Sequence, residues 1–516
     1  MKTNQRIAWA CAHINLAIAL GLAVFFCFAP AVLLVWNLFD PGIAGNQIPK
    51  MTLGLHHRLA PTLDRWARDR VASEKAAALT GENVPGTEWP IFTALFFLWS
   101  TETLQAAWEQ GDQRAAPAPK DDARRAINSL TALVLDPNHA AWVRRLWGDD
   151  YLHHDNLFYR YARIAAMTSH YRLSADAQYL PMLRDEVDRL AADLDCSPAG
   201  LLEDYPEECY PADVLAAWMC IKRADAALGM DHGAALARGR RAFEGTTLDA
   251  HGLPPYLADA VRGWPVGPAR GCSNSYICSV APDLWPDAAA VWYAAYEAHF
   301  WQERWGAAGF REFARDAGES DWYVDVDSGP SVAGHGVSAS AFGVSAARLN
   351  GRFDHAYPLA AEMLAVSWML PNGRLLMPRI LSNAVHAPYL GETAILWQLT
   401  RTTPRDIPIR DGGALPPLVP GMLLAYCFVG GLTIFAAIRA GKAVQRAVLP
   451  APRIQAAVWA MLLFGSAAML CAGWTAGSLM ALLCALILPR TRGRRPGREA
   501  AAEPSPVPSP LSPQQP

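Results

Sequence analysis

Four carboxylates, Glu203, Asp204, Glu207 and Glu208, fall within six residues beside Tyr205, Cys209 and Tyr210, directly ahead of an apolar helical pattern. Carboxylates a few ångströms apart raise one another's pKa, because neighbouring negative charges repel, and a raised pKa is what a general acid needs near neutral pH. Asp204 and Glu208 are the members expected to act in this way. A structural role competes, since acidic side chains are also stabilised at a helix start by the backbone dipole. Further along, Asp325 and Asp327 alternate in a short extended piece before Gly329 and Pro330, which turns both side chains to one side. Such a pair suits water activation or hydrogen bonding to a hydroxylated substrate, with Asp327 as the catalytic member and Asp325 as a binding group. The competing reading is an Asx turn capped by Asp327.

His335 stands between Gly334 and Gly336, where backbone can approach a ligand closely. Its side chain titrates near neutrality, so it is the candidate proton shuttle, against the alternative of a solvated turn histidine. The stretch 147–155 gathers Asp149, Asp150, His153, His154 and Asp155. No second histidine follows at the helical i, i+4 spacing of a zinc-binding helix, so no metal ligands are assigned, and Asp149 is expected to touch substrate. Asn156, Tyr159, Tyr205 and Cys209 complete the expected binding set.

Helices must position these groups. Apolar residues recur at i, i+3, i+4 and i+7 over 91–108, 156–172, 183–194, 213–228 and 288–305, with turn signals between them at 136–138, 197–200, 249–252, 328–330 and 371–373. Strand-like alternation is scarce. Residues 40–410 contain no linker rich in Gly, Ser or Pro, so they are expected to form one all-α domain of about ten to twelve helices in antiparallel pairs, the content of an α/α toroid.

The flanks are apolar. Residues 7–39 contain no Asp, Glu, Lys or Arg, and this stretch exceeds the roughly 20 residues needed to cross a bilayer. A second span is expected over 418–438. A third stretch, 454–488, would be about 50 Å long as one helix against a hydrocarbon core of about 30 Å, so two short spans broken at 472–477 fit better. Lys2 and Arg6, the loop cations Arg439, Lys442, Arg446 and Arg453, and the cluster 490–498 then share the cytoplasmic face. This arrangement predicts a multi-pass bacterial inner-membrane protein with residues 40–410 on the periplasmic side; a hairpin at Pro30 would reverse it. The Pro-rich tail 490–516 has no apolar period and is expected to be disordered.

The net charge of −3 conceals a division: +2 over residues 1–39, −11 over 40–410 and +6 over 411–516. That balance excludes a nucleic-acid partner, and the cationic flanks suit an anionic lipid bilayer. The ten cysteines include no C-x-x-C pair; Cys272 and Cys278 are either bridged or both reduced.

Three segments in order carry a family resemblance: Trp147-Gly148-Asp149 with 155–159; 199–209 running into the 213–228 helix closed by Gly229; and 325–330 leading into a small-residue helix over 337–349. In layout they resemble the linalool dehydratase/isomerase family, over residues 140–370. The resemblance implies an (α/α)6 barrel flanked by transmembrane helices, with a cofactor-free site in its mouth that acts as a lyase or isomerase on a small hydroxylated or unsaturated substrate. The family's two thiol positions fall here on Asp204 and Asp213, and its histidine falls on Ala162, so carboxylates replace the reactive groups. A glycan-acting hydrolase, lyase or epimerase is the alternative, favoured by the tryptophan content, and a non-catalytic ligand-binding barrel is a third. The oligomeric state is left open.

Overall fold

The computed structural model describes residues 2–112, 114–385 and 387–446, together with short pieces between 461 and 485. Two compact units are present, Phe25–Phe428 and a smaller one of Met1–Val24 with Val429–Pro516. The chain is mainly helical. Its first helices are α1 (Lys2–Ala23), α2 (Ala29–Leu38), α3 (Pro41–Ala44), α4 (Lys50–Ser73), α5 (Val84–Glu109), α6 (Pro119–Asp122), α7 (Arg124–Val134) and α8 (Ala141–Trp147). Then follow α9 (Leu157–Ser174), α10 (Leu180–Cys196), α11 (Pro211–Leu228), α12 (Gly233–Gly239), α13 (Gly271–Cys278) and α14 (Pro286–Phe300). The last are α15 (Val337–Leu349), α16 (Phe353–Ser367), α17 (Leu376–Ala384), α18 (Leu390–Thr400) and α19 (Leu418–Arg446).

Within the larger unit the helix contacts form a closed cycle: α5 packs on α9, α9 on α11, α11 on α13, α13 on α15, α15 on α18, and α18 back on α5. A helix that touches neighbours all round must be apolar all round, and α5 buries nearly every residue from Thr93 to Ser100. The outer helices are one-sided instead. In α10 the buried set is Leu183, Val187, Leu190, Ala191 and Leu194, a single stripe that packs on α9 and α11. In the same layer α4 and α7 pack on each other and flank α5, α14 packs on α13, and α16 on α15.

The expected helix over 288–305 is shorter than its apolar pattern. It stops at Phe300, and β1 (Trp301–Arg304) turns back through Trp305 and Gly306, at φ 57° and 77°, into antiparallel β2 (Ala307–Phe310). Two successive positive φ values give the tight reversal that matches strand twist. A three-stranded sheet, β3 (Tyr323–Asp325), β4 (Gly329–Val332) and β5 (His335–Gly336), precedes α15.

Ala12–Leu38 and Leu418–Lys442 are long and apolar enough to cross a membrane. Pro30 does not open a hairpin; the helix runs through a π-turn, Val24–Phe28, directly into α2. Pro30 has no N–H to give the carbonyl four residues earlier, that of Phe26, and the Trp368 indole N–H donates to that carbonyl instead at 2.5 Å. At the other end of the chain, Ser466 Oγ lies 2.9 Å from the Ser478 carbonyl oxygen. A continuous helix would hold these residues about 18 Å apart. The break expected at 472–477 and the tail 490–516 fall almost wholly outside the described residues.

One buried cation closes the larger unit. Arg348 of α15 has no exposed surface and donates to the carbonyls of Gly42, Gln47 and Arg401 at 3.0, 2.8 and 2.7 Å. Burial lowers its pKa to about 10, still far above neutrality. Arg348→Ala leaves three buried carbonyls without a donor and is expected to cost about 3–5 kcal/mol, read as a lower urea midpoint for the detergent-solubilised chain.

Candidate functional site

The starts of five helices of the cycle supply the site. Glu88 lies near the beginning of α5, Tyr161 in the first turns of α9, Asp213 in the first turn of α11, Arg270 and Cys272 at the start of α13, and Asp325 and Asp327 in the hairpin before α15. The loops that feed these helices are locked together. Asp204 accepts hydrogen bonds from the backbone N–H of Phe158 at 2.9 Å and of Tyr210 at 3.2 Å, joining the entries of α9 and α11. The Ala258 N–H donates to the Cys209 carbonyl at 3.1 Å, which brings the 249–270 loop alongside.

Four of the acids have a tyrosine hydroxyl partner. Tyr161 Oη donates to Asp213 at 2.8 Å, Tyr210 Oη to Glu208 at 2.8 Å, Tyr205 Oη to Glu88, and Tyr256 Oη to Asp327. The rings of Tyr210 and Tyr256 meet edge to face at 5.3 Å. Carboxylates of the second and third sequence segments are therefore linked through two tyrosines, Glu208 to Tyr210 to Tyr256 to Asp327. Arg270 lies with its guanidinium 4.3 Å from the Tyr256 ring centre and is committed to Glu312 at 2.7 Å and Asp325 at 2.6 Å.

The electrostatics follow from this commitment. Removal from water raises the Glu88 pKa to about 8, the Tyr205 hydrogen bond opposing and the charges of Asp213 and Asp327 assisting. Burial likewise raises Asp204 and Asp213, each further raised by a neighbouring acid, Asp213 for Asp204 and Asp327 for Asp213. Asp327 is raised by burial while Tyr256 and Arg270 hold it down. Asp325 goes the other way: burial opposes ionisation, but the Ser328 hydroxyl and N–H, then Arg270, outweigh it. Behind the acids is an aromatic wall, where Tyr276 meets Phe342 at 5.6 Å and Trp397 at 6.2 Å, and Phe96 stacks on Trp397 at 5.0 Å. Tyr276 Oη, beside Tyr161, is buried without a hydrogen-bond partner. No family model and no curated protein sequence matches this chain.

Several expected residues lie elsewhere. Asp149 has a 99% exposed side chain that only approaches Arg144 at 3.8 Å, so it is not part of the cluster. His335 faces Arg304, Arg311 and Asp321, its Nε2 at 3.2 Å from the Arg304 carbonyl, and is not joined to the acids. Tyr159 turns outward and donates to the Val134 carbonyl at 2.9 Å. Asn156 is buried at the entry of α9 at φ 25°, its amide donating to the Tyr151 carbonyl. Cys209 is buried beside Asp204 and Asp213, which push its thiol pKa up after burial has done so. Asp325, not Asp327, caps the turn, accepting from the Asp327 and Ser328 N–H groups at 3.2 and 2.7 Å. Cys272 and Cys278 are both free, about 9 Å apart along α13. Glu88, Tyr256, Arg270 and Glu312 are additions from the structure, and Asp213, which the resemblance sets at a reactive position, joins them; an open cavity of about 690 Å³ lined by Arg65, Trp66, Arg70, Lys75 and Tyr389 includes none of these.

A carboxyl whose folded pKa exceeds its unfolded value binds more protons in the folded state over the interval between the two, so folding stability must fall as pH rises through it. For Glu88 that interval runs from its ordinary value of 4.5 to about 8. Melting temperature is expected to decline from pH 5 to 8, and Glu88→Gln, which keeps the neutral form, is expected to flatten the decline; a parallel pH profile in the variant would remove Glu88 as its source.

Proposed function

We propose that the closed cycle of α5, α9, α11, α13, α15 and α18 with its outer helices is an (α/α)6 barrel, and that the barrel is a membrane-anchored, cofactor-independent lyase or isomerase. Its substrate class is a small hydroxylated or unsaturated molecule, as the layout it shares with the linalool dehydratase/isomerase family implies. The observation that carries this reading is the meeting of Glu88, Asp213 and Asp327 at the helix starts of one rim. A carboxylic acid kept neutral at physiological pH can protonate a hydroxyl, and an anionic neighbour can take a proton from carbon.

In this scheme Glu88 delivers its proton to the substrate hydroxyl, the C–O bond breaks and water leaves. Asp327, whose ionised form is favoured by the Tyr256 hydrogen bond and the nearby charge of Arg270 against burial, removes a proton from the adjacent carbon to leave an alkene. The proton returns from Asp327 to Glu88 before the next turnover, so alcohol becomes alkene plus water. Positive charge developing on carbon faces the rings of Tyr276 and Phe342, whose negative π-faces stabilise a cation. Tyr161 and Tyr256 hold Asp213 and Asp327 in place. Several tryptophans that a sugar-binding reading would use for stacking, Trp99, Trp142, Trp218, Trp292 and Trp397, are buried in the core, which favours the lyase reading.

The flanking spans anchor the barrel. The contact of Ser466 with Ser478 supports paired short spans after α19, and the basic clusters support an outward-facing barrel in a bacterial inner membrane. A periplasm-dependent reporter fused after residue 410 is expected to be active, and its cytoplasmic counterpart silent. With an allylic alcohol as substrate and the diene read by gas chromatography, Glu88→Gln and Asp327→Asn are each expected to lower kcat by about 100-fold. Asp149→Ala is expected to leave kcat unchanged. Full activity in both acid variants would refute the assignment.

A further inference from the structure

A second cluster lies apart from the acids. His251, in the turn after α12, His299, near the end of α14, and Asp316, in the loop after β2, bring one ligand atom each to within 4.8 Å of one another. His251 Nε2 is 3.0 Å from Asp316, and the two imidazole centres are 4.1 Å apart. Four ligands around Zn2+ at about 2.0–2.1 Å are spaced about 3.3 Å from each other, so the cluster needs only a small contraction to close on an ion. The far nitrogen of His251, Nδ1, faces Asp249 at 3.4 Å. Asp249 is itself fixed by the N–H groups of His251, Leu253 and Ala269 at 2.9, 3.0 and 3.0 Å. A carboxylate behind a histidine, setting its tautomer so that the opposite nitrogen is free to ligate, is the usual support of a metal-bound imidazole. His299 makes no side-chain hydrogen bond among the described residues, which leaves its ring nitrogens available.

We propose that His251, His299 and Asp316 bind one divalent transition-metal ion of the zinc class, with water in the remaining position. Two imidazoles and one carboxylate match that class better than calcium or magnesium, which prefer all-oxygen sites. The ion would join three separate pieces of chain: the 249–253 turn, the end of α14, and the loop that carries Glu312 four residues before Asp316. Asp249 also holds Ala269, the neighbour of Arg270, so the metal would brace the Arg270–Glu312 pair from outside. This inference does not depend on the acid/base reading.

The test uses the full chain in detergent, stripped with chelator and titrated with Co2+ as a visible probe and Zn2+ as competitor. One Co2+ per chain is expected, with d–d bands of a four- or five-coordinate site, displaced by Zn2+, and a Zn2+-dependent rise in melting temperature. Asp316→Ala, at an exposed position, and His299→Gln are each expected to weaken Co2+ binding at least about tenfold. Glu319→Gln, on the same loop, is expected to change nothing. Absence of saturable binding, or a Co2+ spectrum unaltered by both substitutions, overturns the proposal.

Discussion

Carboxyl groups withdrawn from water without a cation apiece set the terms for this structure. Glu88, Asp204 and Asp213 cannot all ionise where they stand, since each charge would lose hydration and repel the others. The guanidinium of the site, Arg270, is spent on Glu312 and Asp325. What makes the arrangement tolerable is hydrogen bonding: two backbone N–H groups on Asp204 and a tyrosine hydroxyl on each of Glu88, Asp213, Asp327 and Glu208. Asp213, in the first turn of α11, also meets the positive end of its helix dipole. The same environment that makes the cluster costly also gives it acids that remain protonated near pH 7, which the proposed chemistry requires.

Elsewhere the fold answers the same demand by finding partners for polar groups that the chain would otherwise orphan. Pro30 orphans a carbonyl in the first span, and Trp368 supplies its donor. Arg348 enters the core without a carboxylate and is satisfied by three carbonyls from two distant pieces of chain. Gly271 shows the geometric side of this economy: a Cβ there would sit 1.9 Å from the Arg311 carbonyl oxygen, so only glycine allows α13 to begin hard against the segment leading to Glu312. Tyr276 Oη, beside Tyr161, is among the buried groups left without a partner.

How much of this was legible in the sequence depends on how local each signal was. The helices over 91–108, 156–172, 183–194 and 213–228 were readable because their apolar residues keep a 3.6-residue period over several turns. The pattern over 288–305 overran because Trp301 is as apolar as the helix before it, while the turn at Trp305 and Gly306 depends on two backbone angles. Asp204, Glu208, Asp325 and Asp327 were visible as neighbours in sequence. Glu88 was not, being a single acid in an apolar helix, and Tyr256 and Arg270 sit in a loop with no period. The glycines around His335 point to close backbone approach, which the fold spends on Arg311 and Glu312, and Asp149 shares a stretch of sequence with residues that the fold turns away from it. His251, His299 and Asp316 are 48 and 17 residues apart, beyond the reach of any spacing motif.

That a half-buried carboxylic acid at the rim of the helix cycle stays protonated near neutrality is open to direct observation by infrared spectroscopy of the full chain in detergent. The account predicts a protonated-carboxyl C=O stretch at pH 7 that titrates away at about pH 8, the value to which burial raises Glu88, and that loses intensity in Glu88→Gln. A spectrum at pH 7 without that band, or a band untouched by the substitution, would contradict it.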